Sequence, residues 1–311
     1  MKRILLIILL TLGLTGCADT TELGDRAIIQ LAAVDHDGEE YKLSALLFSA
    51  GGSGGTIDVT KDNVIKVTGT GRTLGEAVKQ LSLIDGKEIY MSESKLLVLG
   101  GGFEDEDIIS LLTMLYRDMR CSLNMPVCCA ENAEFLTELE FTEGITAAEK
   151  PVSMIENAYL TGVSPKATVL DILADNEGCR TTLIPSFEET KNGSGMTTDK
   201  NGRTAVLNGS RLIKSGRLDM YADEEATSGY MLLSEGADGI PLNYMLSEGE
   251  LSCEAYNIRV EHNGDGSPVI KASFRTRTGA GLTEEQEKQA QQELDRLAQA
   301  GLKLWLADNS R

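Results

Sequence analysis

The sequence predicts an α+β fold in which mixed or antiparallel sheets have helices packed against them, in two or three subdomains. Strand-like patterns are clustered in residues 26–68 and again in residues 203–278, and amphipathic stripes of helical spacing accompany each cluster. The chain has 311 residues, which is enough for two domains or three small ones. We therefore expect two α+β halves, each with its own sheet and helices.

The first seventeen residues have the features of a secretory signal. Two basic residues precede the apolar run Ile4–Leu14, which is too short to span a bilayer as a finished helix. The run ends in Leu-Thr-Gly-Cys, a lipobox, because the thiol of Cys17 is the one group there that can carry a diacylglycerol. Residues 1–17 are therefore the predicted lipoprotein signal peptide, with Cys17 lipidated.

Residues 18–188 are predicted to form the N-terminal α+β domain, as one body or as two lobes. Its strands are apolar runs bounded by turn residues, and its helices are apolar stripes that follow capping residues. The predicted strands are 26–34, 41–48, 62–68, 95–99, 122–130 and 182–184. The predicted helices lie at 73–84, 104–120, 133–139 and, with breaks, 143–177. The inward stripe of the first helix is Leu74, Ala77, Val78, Leu81 and Ile84.

Residues 189–201 are predicted to be a linker, because they are polar and have no apolar periodicity. Residues 202–311 then form the predicted C-terminal α+β domain. Its strands are predicted at 203–213, 229–233, 251–260 and 268–278. Its last helix begins at a capping box, Thr283 with Gln286, and runs to about Trp305.

Charge and cysteine content exclude several classes of function. The net charge of −19 argues against nucleic-acid binding, which needs basic surface, and against an electrostatic grip on anionic lipid. No segment after the signal has an apolar run of about 20 residues, so the lipid is the only predicted membrane attachment. The five cysteines other than Cys17 include no C-x-x-C pair, and we expect small buried side chains.

A search for catalytic or metal-binding motifs finds none that holds. Gly51–Gly55 matches G-x-S-x-G, but no helix start follows it. Gly100–Gly102 precedes four acidic residues, 104–107, which would repel a phosphate. His36 and His262 lie beside turns in different halves and are expected at the surface. We predict no catalytic residue, no metal ligand and no cofactor.

Several short motifs occur in order along nearly the whole chain. They are LTGCADTTEL from Leu14, GRTLGEA from Gly71, IY from Ile89 with KLLVLG from Lys95, YRDMR from Tyr116, NGSRLIKSGRL from Asn208 and SGY from Ser228. In this order and spacing they resemble the Ger(x)C lipoproteins, the C subunits of bacterial spore germinant receptors. Ala18 departs from the family, which usually has Trp there, and Glu93 falls near a usual His. The family normally continues beyond the position of Arg311, so the C-terminal domain is either complete or shortened.

The resemblance implies a lipid-anchored, non-catalytic receptor subunit on the outer face of the cytoplasmic membrane, which is the spore's inner membrane. Such a subunit lies beside integral A-like and B-like subunits and assists receptor assembly and nutrient-triggered germination through protein–protein contacts. Asp19, Glu22 and Leu23 are candidates for membrane-proximal contacts. The alternative is a solute-binding lipoprotein of a transporter, for which we would expect alternating β-α-β domains around a cleft.

Overall fold

The computed structural model describes residues 26–48, 64–139, 148–191, 202–235, 240–246, 249–263, 268–276 and 281–309. The strands in these residues are β1 Arg26–His36, β2 Tyr41–Phe48, β3 Val64–Gly71, β4 Glu88–Tyr90, β5 Leu96–Leu99, β6 Pro126–Ala130, β7 Ala167–Thr168, β8 Thr182–Lys191, β9 Arg203–Lys214, β10 Arg217–Ala222, β11 Ile240–Leu246, β12 Gly249–His262 and β13 Pro268–Thr276. The helices are α1 Leu74–Asp85, α2 Ile108–Asp118, α3 Phe135–Glu138, α4 Glu149–Leu160, α5 Val169–Glu177, α6 Glu224–Glu235 and α7 Glu284–Asn309, with a 3-10 helix at Gly101–Glu104.

Ten strands form one mixed sheet. Its order is β10-β9-β8-β6-β5-β1-β2-β3, with β4 beside β1 and β7 beside β6. The central strands β1, β5, β6 and β8 are parallel, and the outer ones are antiparallel. Parallel neighbours need long crossovers, and the chain supplies them through α1, through α2 and through α3 to α5. The predicted α+β class with a mixed sheet is confirmed, although its parallel centre was not foreseen.

Both faces of this sheet are covered, so its central strands are apolar on both sides. Every residue of β5 is buried, as expected for a parallel strand between two layers of helices. Helices α1, α2 and α5 pack on one face through Leu81, Leu112 and Ile172. On the other face α3 and α4 pack through Leu136 and Ile155.

The sheet continues across the predicted linker 189–201. Strands β8 and β9 are antiparallel neighbours, with Thr182 opposite Ile213 and Lys191 opposite Arg203. Strand β8 extends beyond residue 184, the predicted end, and includes Pro185, because the register shifts between Pro185 and Phe187. A bulge accommodates a residue that has no N–H to donate to the ladder. The first three residues of the predicted linker therefore belong to β8, and the strands on its two sides pair within one sheet.

The remaining strands form a separate antiparallel sheet, β11-β12-β13. Its core takes Leu232 from α6 and Leu294 from α7. The same two helices contribute Tyr230 and Leu304 to a cluster with Leu183 of β8. The α6–α7 pair therefore packs on both sheets and joins them.

The predicted strand 229–233 is wrong, because these residues belong to α6. Asp223 starts the helix by accepting the Ala226 N–H at 2.8 Å. The run from Tyr230 to Leu233 is buried against both sheets and α7, and a short apolar run does not distinguish a buried helix from a strand. Gly229 allows the close crossing of α7, since an added Cβ would lie 1.8 Å from the Leu297 carbonyl oxygen.

The other predicted helices are present where the structure describes them, although α2 begins at Ile108 and not at residue 104, and residues 143–147 lie outside the described residues. One residue of α1 is an exception. The predicted capping box of α7 is present, since Thr283 N donates to Gln286 Oε1 and Gln286 N donates to Thr283 Oγ1. Ile84 was expected in the inward stripe of α1 but is 59% exposed. The reason is that α1 touches β3 most closely at Gly69, next to the backbone of Ala77 and Leu81, and Ile84 lies beyond that contact.

The crossing at Gly229 can be tested by adding a single methyl group. Gly229→Ala would force α6 and α7 apart, and overpacking of this kind destabilises by about 1–3 kcal/mol. Gly75→Ala is the matched control, since Gly75 is exposed in α1 with open space around it, and it should stabilise by about 0.5–1 kcal/mol. Urea unfolding followed by circular dichroism measures both; equal stability of the two variants would contradict the crossing.

Candidate functional site

The predicted site residues precede the described part of the chain. Cys17, Asp19, Glu22 and Leu23 lie outside the described residues, which begin at Arg26, and they stay predictions. The serine motif at Gly51–Gly55 also lies outside them. The structure does show where the chain continues from the predicted anchor, which is the first residue of β1.

An aromatic ring with a guanidinium group stacked on it from each of two arginines lies at the start of β1. Arg26 pairs with Glu88 of β4, and Ile28 pairs with Tyr90. The Cζ atoms of Arg26 and Arg120 lie 4.8 and 5.6 Å from the centroid of the Tyr90 ring. Arg120 also donates a hydrogen bond of 3.2 Å to the Tyr90 hydroxyl. Cations stacked on an aromatic ring fix the place where β1 enters the sheet.

The opposite end of β1 carries the polar cluster in which a ligand site would be sought. In sheets with parallel strands, ligands bind beyond the carboxyl ends of the strands. Here Asp35 occupies that position and accepts the backbone N–H groups of Ala133 at 2.8 Å and Glu134 at 3.1 Å. Burial raises the pKa of the Asp35 carboxyl, while these two N–H groups oppose the rise. The carboxylate therefore holds the start of α3.

Close packing against the end of β1 also explains why the loop that follows β5 consists of glycines. An added Cβ would lie 2.2 Å from Asp35 Oδ1 at Gly100, and 1.7 Å from the His36 carbonyl oxygen at Gly102. The loop therefore lies directly on the end of β1. The space that a phosphate would need above these glycines is filled by the strand.

His36 is not the surface residue that the sequence predicted. Its side chain is only 6% exposed, and its ring centroid lies 4.4 Å from that of Tyr41. Nδ1 accepts the Gly38 N–H at 3.2 Å and lies 3.6 Å from Glu106 Oε1. Tyr41 donates to Glu106 Oε2 at 2.9 Å, and burial together with this bond raises the pKa of Tyr41 to about 12. His262 belongs to β12 in the other sheet, so the two histidines do not share a site.

A network of ion pairs crosses the same face of the sheet as α3. Glu134 binds Lys42 and Lys66, with a distance of 2.8 Å from Glu134 Oε1 to Lys66 Nζ. Glu138 lies 2.9 Å from Lys66 Nζ and 2.9 Å from an Arg203 guanidinium nitrogen. Single exposed pairs contribute about 0–1 kcal/mol, but a network that joins β2, β3, α3 and β9 contributes more than isolated pairs do. No local sequence pattern marks this network, since its members are scattered along the chain.

The five cysteines among the described residues are free thiols, and four of them are buried, as the sequence predicted. Burial raises the pKa of the Cys121 thiol to about 11 and that of Cys129 to about 12. These side chains stay protonated and pack as small apolar groups. Cys179 is exposed, which the sequence did not predict. Across the described ranges, no three His, Cys, Asp or Glu side chains are grouped so that they could hold a metal ion.

The pKa values of two aspartates near the carboxyl end of β1 should be shifted in opposite directions. Burial raises the pKa of Asp35 above the ordinary 3.8, whereas the N–H groups of Glu40 and Glu39 lower that of exposed Asp37. A raised carboxyl pKa means that Asp35 favours folding at low pH and that this contribution is lost as the pH rises through its folded pKa. Asp37 contributes in the opposite sense and loses its contribution as the pH falls.

Carbon-13 NMR titration of the side-chain carboxyl groups should therefore place the midpoint of Asp35 above that of Asp37. The Asp35→Asn and Asp37→Asn variants assign the two signals. A midpoint for Asp35 at or below that of Asp37 would contradict the burial of the Asp35 carboxylate under the glycine loop.

Known proteins that are similar to this chain are described as spore germination proteins. The family model "Spore germination protein N-terminal domain" matches residues 19–189. The putative spore germination protein YfkR of Bacillus subtilis (strain 168) is 23% identical over 256 residues, which are 75% of this chain and 61% of that protein. This chain thus spans about three fifths of the length of that relative. The crystal structure of the GerBC protein aligns over 86% of this chain and 79% of its own, with 18% identity and a TM-score of 0.45.

Proposed function

Because this chain belongs to the spore germination protein family, whose N-terminal domain matches more than half of it, we propose that it is a lipid-anchored, non-catalytic subunit of a spore germinant receptor. In this proposal it assists receptor assembly and nutrient-triggered germination. It does so through contacts with integral A-like and B-like subunits at the outer face of the spore's inner membrane. The observation that carries the proposal is the lipobox ending at Cys17, two residues before the matched domain begins.

The proposed attachment is the acylated Cys17. In the described part of the chain, none of the helices combines the length and the apolar character that crossing a membrane requires. A single acyl chain binds a membrane only reversibly, whereas two or more, palmitate among them, hold firmly. A diacylglycerol on Cys17 would therefore supply the attachment without help from the protein's charge.

The short lead after Cys17 would keep the domain close to the membrane. Residues 18–25 span at most about 30 Å when fully extended. They connect directly to β1, which lies inside the large sheet and is paired on both sides. Such a tether raises the effective concentration of the domain towards partners in the same membrane without any new contact. Asp19, Glu22 and Leu23 are the proposed contacts nearest to the lipid.

The polar groups described near the carboxyl ends of β1 and β6 support a non-catalytic role. Asp35 holds the start of α3, Tyr41 donates a hydrogen bond to Glu106, and His36 accepts one from the Gly38 N–H. Cys129 is kept as a protonated thiol by burial. Each of these groups already has a structural task in the folded chain.

A solute-binding lipoprotein of a transporter is the alternative. The parallel centre of the large sheet, with its helical crossovers, is a feature that such proteins share. A solute-binding protein needs two such sheets around a cleft, and among the described residues the second sheet is a three-stranded antiparallel one. The family membership and the sheet topology together favour the receptor subunit.

Removing the acylated thiol tests the proposal. Cys17→Ala should release the protein from the membrane fraction, weaken its co-purification with the A-like and B-like subunits, and slow nutrient-triggered germination. Cys179→Ser is the matched control, because Cys179 is an exposed cysteine far along the chain and should leave all three measurements unchanged.

Germination is followed as the fall in optical density of purified spores after nutrients are added. Spores that carry a soluble Cys17→Ala protein and germinate at the full rate would refute the anchored role. Binding of a small solute by the purified chain would favour the alternative.

A further inference from the structure

Exposed apolar side chains are concentrated at one end of the large sheet. We call this end the amino edge, meaning the end at which β1, β5 and β6 begin. Large apolar residues that are exposed singly need no explanation, but several gathered at one edge indicate a contact surface. Six of them stand near helix ends, namely Leu83, Ile84, Tyr116, Tyr159, Leu160 and Leu170.

The position of α1 places the first pair at this edge. Leu83 and Ile84 are 74% and 59% exposed, and Gly86 ends the helix just after them. Strand β4 follows at once, with Glu88 opposite Arg26. The last turn of α1 therefore lies beside the start of β1, which is where the chain arrives from the proposed anchor.

Helix α2 ends at the same level on the same face of the sheet. The Met119 carbonyl, just after the helix, accepts the Met91 N–H at 3.1 Å, and Arg120 donates to the Tyr90 hydroxyl. Tyr90 is opposite Ile28, near the start of β1. Tyr116, in the last turn of α2, is exposed next to these contacts.

The other face of the sheet adds the end of α4. Tyr159 and Leu160 are exposed there, and Leu160 is 74% exposed, like Leu83. The chain turns after them, with the Gly162 N–H donating to the Tyr159 carbonyl oxygen at 3.0 Å. It then returns to Ala167, which is opposite Val127 at the beginning of β6. These two residues therefore belong to the amino edge as well.

The beginning of α5 completes the set. The Leu170 N–H donates to the carbonyl oxygen of Leu123 at 2.8 Å, and Leu123 precedes the first residue of β6. Leu170 is exposed at that level of the sheet. Four helices from both faces thus present apolar side chains along one edge.

We propose that the amino edge is the surface with which the domain rests on the lipid bilayer, with these side chains in the headgroup region and the sheet standing edge-on. This inference rests on the proposed anchoring at Cys17, and it adds how the anchored domain is oriented. The tether of residues 18–25 arrives at this edge, so Arg26 lies within about 30 Å of the acylated residue.

The chemistry of the edge fits a bilayer interface. Tyrosine has an apolar ring and a polar tip and is enriched at the headgroup level, where arginine also finds polar partners. Arg26 and Arg120 stack on Tyr90 at this edge. Glu88 lies beside them, so the edge is not strongly basic, and burial of apolar surface is the main favourable contribution. The net charge of the chain, −19, does not favour contact with anionic lipid, so the attraction has to come from burial of apolar surface.

Tryptophan substitutions can report which edge meets the lipid. The protein is residues 17–311 with Cys179→Ser and Trp305→Phe, coupled through Cys17 to a maleimide lipid in vesicles of phosphatidylglycerol and phosphatidylethanolamine. Leu83→Trp and Leu160→Trp place an indole on the two faces at the amino edge. Val206→Trp is the control, since Val206 is exposed and pairs with Glu188, towards the carboxyl end of β8.

Lipids with brominated acyl chains should quench both amino-edge indoles and shift their emission to shorter wavelengths, while the Val206→Trp indole stays unquenched. Quenching of only one of the two amino-edge indoles would overturn the edge-on orientation. Equal quenching in all three variants, or in none of them, would overturn the proposal. If none is quenched but Leu83→Ser weakens co-purification with the membrane subunits, the edge binds protein and the assignment to lipid is wrong.

The coupling is chemical, so the result does not depend on whether cells acylate Cys17. Circular dichroism of each variant checks that it is folded before the vesicles are added. The vesicle experiment therefore tests the proposed orientation alone. The proposed acylation of Cys17 is tested separately, by the Cys17→Ala variant in spores.

Discussion

Strand β1 is hydrogen-bonded to neighbouring strands on both sides, and this pairing holds the large sheet together. β1 is antiparallel to β2 and parallel to β4 and β5, so it joins the antiparallel and the parallel parts of the large sheet. Ile29 and Val34 contribute to the core on one face, and Leu31 and Ala33 to the core on the other. A strand that is buried on both faces and hydrogen-bonded on both sides is fixed in position. Whatever is attached to its ends is therefore held in a defined place.

The two ends of β1 have different tasks. At the carboxyl end, Asp35 holds α3, and the glycine loop after β5 covers the strand. At the amino end, Arg26 receives the chain from the proposed anchor. The same difference between the two ends applies to the other parallel strands. Each crossover between parallel strands has to bring the chain back towards the amino edge. Helices α1 and α2 therefore end near the start of β1, and α4 ends near the start of β6, so that their last apolar residues lie at the amino edge.

The position of these apolar residues bears on the proposed function, because it would orient the domain at the membrane. A domain joined to lipid by a short lead could still turn freely if only the anchor held it. Apolar contacts along the amino edge would remove that freedom and present the same faces to neighbouring subunits each time. Fixing the orientation reduces the rotational entropy that a protein–protein contact has to overcome. A non-catalytic subunit would contribute to a receptor in this way.

The sequence predicted features that depend on neighbouring residues better than those that depend on distant ones. The capping box at Thr283, the helical state of α2 and the strand character of β1 were all predicted, because each is encoded within a few turns or residues. The α6 segment 229–233 was not, since its helical state depends on the crossing with α7. The exposure of Ile84 depends on where β3 meets α1, which periodicity does not encode.

Site residues show the same division. The lipobox is local and was found, but it precedes the described residues. The burial of His36 and the ion pairs of Glu134 depend on contacts between residues far apart in sequence, and no local pattern marks them. The pairing of β8 with β9 belongs to the same class, because a polar connection has the composition of a linker whether or not the strands beside it pair.

Membrane attachment of this chain is proposed to come from acyl groups on Cys17. Mass spectrometry of the N-terminal peptide from membrane-purified protein can detect them. We expect a peptide that begins at Cys17 and carries the mass of a diacylglycerol on its thiol. A mature protein that retains the residues before Cys17, or that begins at Cys17 with an unmodified thiol, would refute the lipid anchor.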